Sequence, residues 1–334
     1  MLKNLCLLNG TSGDEKVVRD YIINEIKDYC EYEVDNLGSI IAWKKGKNVP
    51  NKIVSINAHM DEVGFIITGI TDDGYLRFDT VGGIDSRVCL DRTVFVGDNM
   101  VNGVIADKAF HLLSDDERKE CPGFDKMLID IGATSKQEAQ ALVSLGDFAY
   151  FNSDYYEFGN GFIKAKALDD RIGCMLMIDL IKSDLEYDTV FCFNVQEEVG
   201  LRGSKCTSFK VMADVAVVES TTAADLDGVL GDDRVCVLGN GPVVSFMDNR
   251  TVYDRELYKL AFKTANECNI PVQTKTAVAG GNDAGAIQTS GYGSRVIAIS
   301  LPTRYIHSGA SVVKKCDIDS TNKLLKELLP KLYD

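Results

Sequence analysis

The stretch IVSINAHMDEVGF, residues 53–65, begins as an apolar run, Ile53 to Ile56, and ends in histidine and acid, with His59, Asp61 and Glu62 close behind. A short apolar run bounded by polar residues is the signature of a buried strand, which puts His59 at or just beyond a strand end. The pattern recurs along the chain. His307 lies in SLPTRYIHSG (300–309), directly after Val296 to Leu301. Glu197 and Glu198 lie in FNVQEEVGLRGS (193–204), at the end of Val190 to Val195, and Glu219 lies in DVAVVESTTAADLDG (214–228), after Val215 to Val218. The exception is Asp169-Asp170 in KALDDRIGC (166–174), a pair that opens a helical pattern continuing through Ile172, Met175, Leu176 and Leu180. Strands alternating with helices predict an α/β sheet covered on both faces. In such sheets ligands gather at the carboxyl ends of the strands.

Outward from these segments, Ser12 and Glu15 have capping-box spacing, and Val18, Ile22 and Ile26 recur on one face, so a helix is expected over about 14–29. Further helical patterns occupy about 254–267 and 319–332. Between 69 and 162 the texture changes to short β-rich runs punctuated by Asp73-Gly74, Gly82-Gly83 and Asn160-Gly161. A segment of about 95 residues far exceeds ordinary connections of about 4 to 6 residues. It reads as a small β-rich domain, 69–162, inserted between the two parts of a main domain, 1–68 and 163–334.

Composition narrows the function. The chain has 334 residues and a net charge of −14, which repels nucleic acid and anionic membrane surfaces, so neither is an expected partner. The ten cysteines include no CxxC pair and suit a reducing compartment. The apolar stretch at the N-terminus, MLKNLCLLNGTSGDE, is too short for a signal-peptide core, and no segment approaches the ~20 apolar residues of a membrane helix. A cytoplasmic protein is expected.

Only three histidines are present, His59, His111 and His307, and two of them sit in acidic, glycine-bearing segments. Two imidazoles with several carboxylates and no cysteine pair suit a hydrolytic zinc, cobalt or manganese centre. Each motif alone has a bland explanation. His59 fits a satisfied core histidine, Asp169-Asp170 a helix cap, Glu197-Glu198 a solvated pair, and GGNDAG (280–285) a turn that lacks the lysine of a phosphate-binding loop. His111 has no ligand-like neighbours and reads as structural. Jointly the bland explanations weaken, because all the clusters would have to fall at strand ends or a helix start by coincidence. Charge also favours metal: two divalent cations balance Asp169, Glu198, Glu219 and a bridging hydroxide, whereas the carboxylates alone would repel one another. The leading reading is a two-metal peptidase.

The segments AHMDEVGF (58–65), KALDDRIGC, VQEEVGLRGS (195–204), GGNDAGAI (280–287) and PTRYIHS (302–308) resemble the signatures of the tetrahedral dinuclear metalloaminopeptidases. That family includes glutamyl and deblocking aminopeptidases and proteins once labelled cellulase M. The resemblance extends into the insertion through VGGIDSRVCLDRTVFV (81–96), HLLSDDERK (111–119) and DIGATSKQEA (130–139). It implies a zinc-peptidase-like α/β/α sandwich with an inserted barrel-like domain that mediates assembly into dodecamers built from dimers. It further implies two divalent metal ions, one held by His59, Asp169 and Glu219 and the other by Asp169, Glu198 and His307, with Asp169 rather than Asp170 as the bridge. Glu197 would be the general base and Asp61 would orient His59. Short peptides, trimmed from their N-termini, would be the substrates. The chain departs from the family pattern twice: Glu219 stands where many relatives carry aspartate, and Gly309 follows Ser308 where proline is frequent. A glycoside hydrolase working through two carboxylates and a non-catalytic assembly protein with a vestigial metal site are the alternatives.

Overall fold

The structure is a computed structural model that describes residues 1–224 and 234–334. Helices α1 (Leu2–Leu7) and α2 (Lys16–Ile26) precede strands β1 (Glu31–Val34), β2 (Ile40–Lys44) and β3 (Val54–His59). Next come β4 (Gly64–Ile70), β5 (Leu76–Val81), β6 (Thr93–Val96), β7 (Val101–Ala106), β8 (Leu128–Asp130), α3 (Lys136–Leu142) and β9 (Phe148–Phe151). The chain continues through β10 (Tyr156–Phe158), β11 (Phe162–Ala165), α4 (Leu168–Ile181), β12 (Thr189–Asn194), α5 (Arg202–Val211) and β13 (Val215–Ala223). It closes with β14 (Val243–Val244), α6 (Arg255–Glu267), β15 (Gln273–Thr274), α7 (Ala284–Ile287), β16 (Arg295–Thr303), β17 (Ser311–Lys314) and α8 (Lys315–Leu328).

The main sheet has the order β1-β2-β12-β3-β13-β16-β14-β15. Its centre, β12, β3, β13 and β16, is parallel throughout, while β2 and β14 run antiparallel on either side. Burial on both faces explains why these strands read as continuous apolar runs. In β13, Val215 and Val217 join the large core beneath α4, whereas Ala216 and Val218 join a smaller cluster with Ala284 and Ile287 of α7. Helices α4, α6 and α8 cover one face, and α5 and α7 the other. The expected two-faced α/β sheet is the architecture observed.

Helix α2 buries Val18, Ile22 and Ile26, the spacing read from the sequence, but is shorter than 14–29. Its predicted capping box does not form. The Ser12 hydroxyl donates to Asp61 instead, and Glu15 accepts from the amides of Gly13 and Gln196, so tertiary partners displace the local ones. The Asp169-Asp170 pair also proves to follow a strand, since β11 pairs antiparallel with β10 and β17 in a separate three-stranded sheet. Both aspartates have non-helical backbone angles and the peptide bond between them is cis, so the regular part of α4 starts behind them.

Strands β4 to β9 close into a barrel in the order β4-β5-β8-β7-β6-β9. The barrel has its own core, in which Phe65 meets Phe78 and Phe151 edge-on at 5.2 and 5.1 Å, packed with Ile67, Val94, Ile105 and Ile129. Barrel strands occupy Gly64 to Phe151, so the barrel leaves the main domain directly behind His59 and Asp61. All ten cysteines are free thiols. No helix among the described residues is long and apolar enough to cross a membrane. Because Phe65 is fully buried between two aromatic partners, Phe65→Ala is expected to cost about 3–5 kcal/mol. A lowered urea midpoint would register that cost, and an unchanged one would contradict the packing.

Candidate metal centre

The acidic and histidine residues converge because the four parallel strands end side by side. His59 closes β3 opposite Asn194, the last residue of β12, and Glu197 and Glu198 follow in the turn beyond. Glu219 lies in β13 opposite Ile299 of β16, and His307 lies in the connection from β16 to β17. Asp169 arrives from the side, in the irregular first turn of α4 that follows β11.

Nε2 of His59 is 3.3 Å from Oδ1 of Asp169, while Nε2 of His307 is 3.5 Å from Oδ2 of the same carboxylate and 3.2 Å from Oε1 of Glu198. The opposite ring nitrogens meet backbone carbonyls: Nδ1 of His59 is 3.1 Å from the oxygen of Asp61, and Nδ1 of His307 is 2.8 Å from that of Gly83. A carbonyl only accepts, so each Nδ1 donates and each Nε2 is aimed at the acids. This is how metal-bound histidines are commonly held. Ligand atoms of His59, Asp169 and Glu198 lie within 4.8 Å of one another. Oδ1 of Asp169 and Oε1 of Glu219 are buried without a hydrogen-bond partner among the described residues. Imidazole and carboxylate donors with orphaned buried oxygens fit a divalent cation. Glu219 stands outside the 4.8 Å group, with Asp170 as its charged neighbour.

Residues 38–324 match the M42 glutamyl aminopeptidase family. The chain belongs to that family. It is 31% identical to the lysyl aminopeptidase of Pyrococcus furiosus, a match covering 99% of this chain and 96% of the relative. A TET aminopeptidase from the marine sediment archaeon Thaumarchaeota archaeon SCGC AB-539-E09 superposes with a TM-score of 0.95 at 35% identity, over 99% of this chain and 95% of that one. The TET1 peptidase of Pyrococcus horikoshii, which can assemble into a tetrahedron or a large octahedral shell, gives a TM-score of 0.86 at 36% identity, over 98% and 97% of the two chains. The resemblance read from the motifs is thereby met, and the chain stands among aminopeptidases.

In this M42 chain the Asp61 carboxylate does more than face a histidine. It lies 3.5 Å from Nδ1 of His59, farther than the Asp61 carbonyl, and it accepts the amides of Glu197 at 3.0 Å and Glu198 at 3.1 Å and the Ser12 hydroxyl at 2.6 Å. Asp170 accepts the Gly173 amide at 3.1 Å, as a helix cap does, and lies 3.4 Å from the amide of His59. Asp283 of the GGNDAG segment accepts from Asn194 at 2.9 Å. His111 sits on an exposed turn.

Sequence reading missed a buried ion cluster next to the site. Glu62 accepts from Lys166 and from the Gly10 amide and lies 3.6 Å from the Arg171 guanidinium. Arg171 is fully buried and donates to the carbonyls of Met60 and Leu5, each at 2.7 Å, which ties α1 to the end of β3. Its signal was present, since Lys166 and Arg171 flank Asp169-Asp170, but Glu62 lies too far away in sequence to suggest the pairing. Gly309, the position that departs from proline, faces the Phe151 ring, where a Cβ would come within 3.3 Å.

Burial would lower His59 and His307, but neighbouring carboxylates outweigh it. Asp169 and Asp61 hold His59 well above its usual range, and Asp169 and Glu198 push His307 up to about 11. Burial would raise Asp169, yet the same two histidines hold it below the usual carboxylate range. Burial and Asp170 push Glu219 well up, and burial raises Glu198 against the pull of His307. The shift of His307 leaves it protonated at neutral pH, the upward shifts of His59 and Glu219 favour their protonated forms, and a divalent cation bound by these groups would displace such protons. Cation affinity is expected to climb between about pH 6 and 8, by about tenfold per pH unit for each proton released. Calorimetry in buffers of unlike ionisation enthalpy counts those protons, and a count of zero would contradict the assigned states.

Proposed function

We propose that the protein is a dinuclear metalloaminopeptidase that removes N-terminal residues from short unfolded peptides. One observation carries this reading: the two oxygens of Asp169 face two different imidazoles, Oδ1 toward His59 and Oδ2 toward His307. A carboxylate shared in that way suits a bridge between two cations. His59, Asp169 and Glu219 would hold one cation, and Asp169, Glu198 and His307 the other. The nitrogen and oxygen donors suit zinc or cobalt, with manganese as the third candidate.

When bound, the two cations supply polarisation of the scissile carbonyl and acidify water toward a pKa of ~7. Glu197 is the general base. Burial holds its carboxyl well above the usual range despite His59 nearby, which suits a group that takes a proton from the attacking water and returns it to the leaving amine. Asp61 fixes the Glu197 backbone and, through its carbonyl, the ring of His59. Asp169, Glu198 and His307 border a small recess completed by Glu62, Val63, Phe151, Ala167, Ser308 and Ser311. Such a confined site suits the end of a peptide chain rather than its interior. The family is described as glutamyl while one relative is a lysyl enzyme, so membership alone assigns no preferred N-terminal residue.

The inserted segment, placed at 69–162 from the sequence and built around the barrel, serves self-association in this reading, toward a homododecamer built from dimers. The assembly of the Pyrococcus horikoshii relative supports it, as do Phe110 and Leu112, which are 70% and 60% exposed. A cytoplasmic location accords with ten free thiols.

Glu197→Gln is expected to lower kcat by about 100- to 10,000-fold on an aminoacyl chromogenic substrate while metal content stays at the wild-type level. Loss of metal together with activity would recast Glu197 as a ligand. Metal counting on single alanine variants checks the rest: His307 and Glu198 should each cost one ion, His59 and Glu219 the other, and Asp169 both. An N-acetylated peptide cut internally by the purified protein would sink the exopeptidase reading, and an active species with the native mass of a monomer would sink the assembly.

A further inference from the structure

Three successive backbone amides in the turn that carries the general base donate to buried carboxylates. The amides of Glu197 and Glu198 go to the two oxygens of Asp61 at 3.0 and 3.1 Å, and that of Gln196 goes to Oε1 of Glu15 at 3.1 Å. Glu15 is 4% exposed and stands at the start of α2, yet it makes no cap for that helix. The same Oε1 instead accepts the Gly13 amide at 2.8 Å, which stiffens the turn that delivers it. Gln196 has φ +54°, a left-handed conformation that a non-glycine residue keeps only when its surroundings enforce it. Behind it the turn closes through bonds from Gly200 and Leu201 to the Glu197 carbonyl, both 2.9 Å. That closure fixes the far side of Glu197; on the near side the Gln196 carbonyl accepts the Arg202 amide at 3.1 Å and Asp61 holds the Glu197 amide, while the Gln196 amide itself is held by Glu15.

The segment that delivers Glu15 also meets the other half of the site. Ser12 donates its amide to the Glu62 carbonyl at 3.3 Å and its hydroxyl to Asp61 at 2.6 Å, and the Glu62 amide donates to Gly10 at 3.0 Å. One N-terminal turn thus grips both the strand end bearing His59 and the turn bearing Glu197.

We infer that Glu15 is a positioning residue for the peptidase reaction: its buried carboxyl holds the Gln196 amide and thereby sets the direction in which Glu197 enters the site. The inference rests on Glu197 acting as the base. Glu15 touches neither substrate nor the proposed ligands, so its effect falls on kcat rather than on metal content. Burial, with Asp61 adding to it, pushes its carboxyl up to about 7. Both amides need an acceptor oxygen rather than a charge, so a side chain with one carbonyl oxygen in the same place meets the same need, and glutamine is the conservative replacement.

The test compares Glu15→Ala, Glu15→Asp and Glu15→Gln with Glu197→Gln in the metal-loaded full chain. Misdirecting a catalytic group by a fraction of an ångström to 1 Å costs about 10- to 100-fold. Glu15→Ala is expected to lower kcat by that factor with KM within about twofold and metal content unchanged, and hydrogen exchange at the Gln196 amide should accelerate. Glu15→Gln should restore both kcat and amide protection. If the alanine variant does not fold, Glu15→Asp, one methylene shorter, carries the test with the same expected loss of kcat and protection. Wild-type kcat in the alanine or aspartate variant, or equal losses in the alanine and glutamine variants, would overturn the inference. Full turnover by Glu197→Gln would instead remove the reading on which it rests, so the two failures are told apart.

Discussion

Holding a carboxylate out of water costs several kcal/mol unless hydrogen bonds or an opposite charge compensate it, and this fold withdraws Asp61, Glu62, Asp170 and Glu219 from solvent at one edge of one sheet. Much of the local structure follows from how each is compensated. Glu62 receives Lys166 and Arg171. Asp61 receives two amides and a hydroxyl. Asp170 receives the opening amide of a helix. Asp169, Glu198 and Glu219 have too few partners from the protein, and His59 and His307 converge on the first two. A bound cation would complete this pattern of compensation.

The parallel sheet makes such a concentration workable. Strands β12, β3, β13 and β16 are buried on both faces, so their positions are set by packing and their ends are rigid supports. Acids borne on connections between those ends inherit that precision. A loop on a solvated surface would let them separate and relieve their repulsion.

Buried parallel strands read plainly because they are near-continuous apolar runs, which is why the ends bearing His59, Glu198 and His307 were legible in the sequence. Helix α2 was legible through Val18, Ile22 and Ile26 for the same reason. Strand β11 was not, because Phe162–Ala165 is short and pairs with Ser311–Lys314, far along the chain. Ser12 and Glu15 fit a local template so well that their distant partners were invisible: the bonds to Asp61 and Gln196 span 49 and 181 residues. Glu219 illustrates the remaining limit. Its residue type and strand end are readable, but its place outside the tight group around Asp169 is a matter of distances between strands, which a linear pattern does not encode.

The hydrogen bond from His307 to the Gly83 carbonyl joins residues 224 positions apart and crosses from the main domain to the loop leaving barrel strand β5. The barrel is therefore not an independent attachment, because it supplies the acceptor that selects which ring nitrogen of His307 turns toward the acids. A chimaera carrying another protein's barrel would have to return that one carbonyl to within hydrogen-bonding tolerance, or His307 would be free to rotate and present the wrong nitrogen.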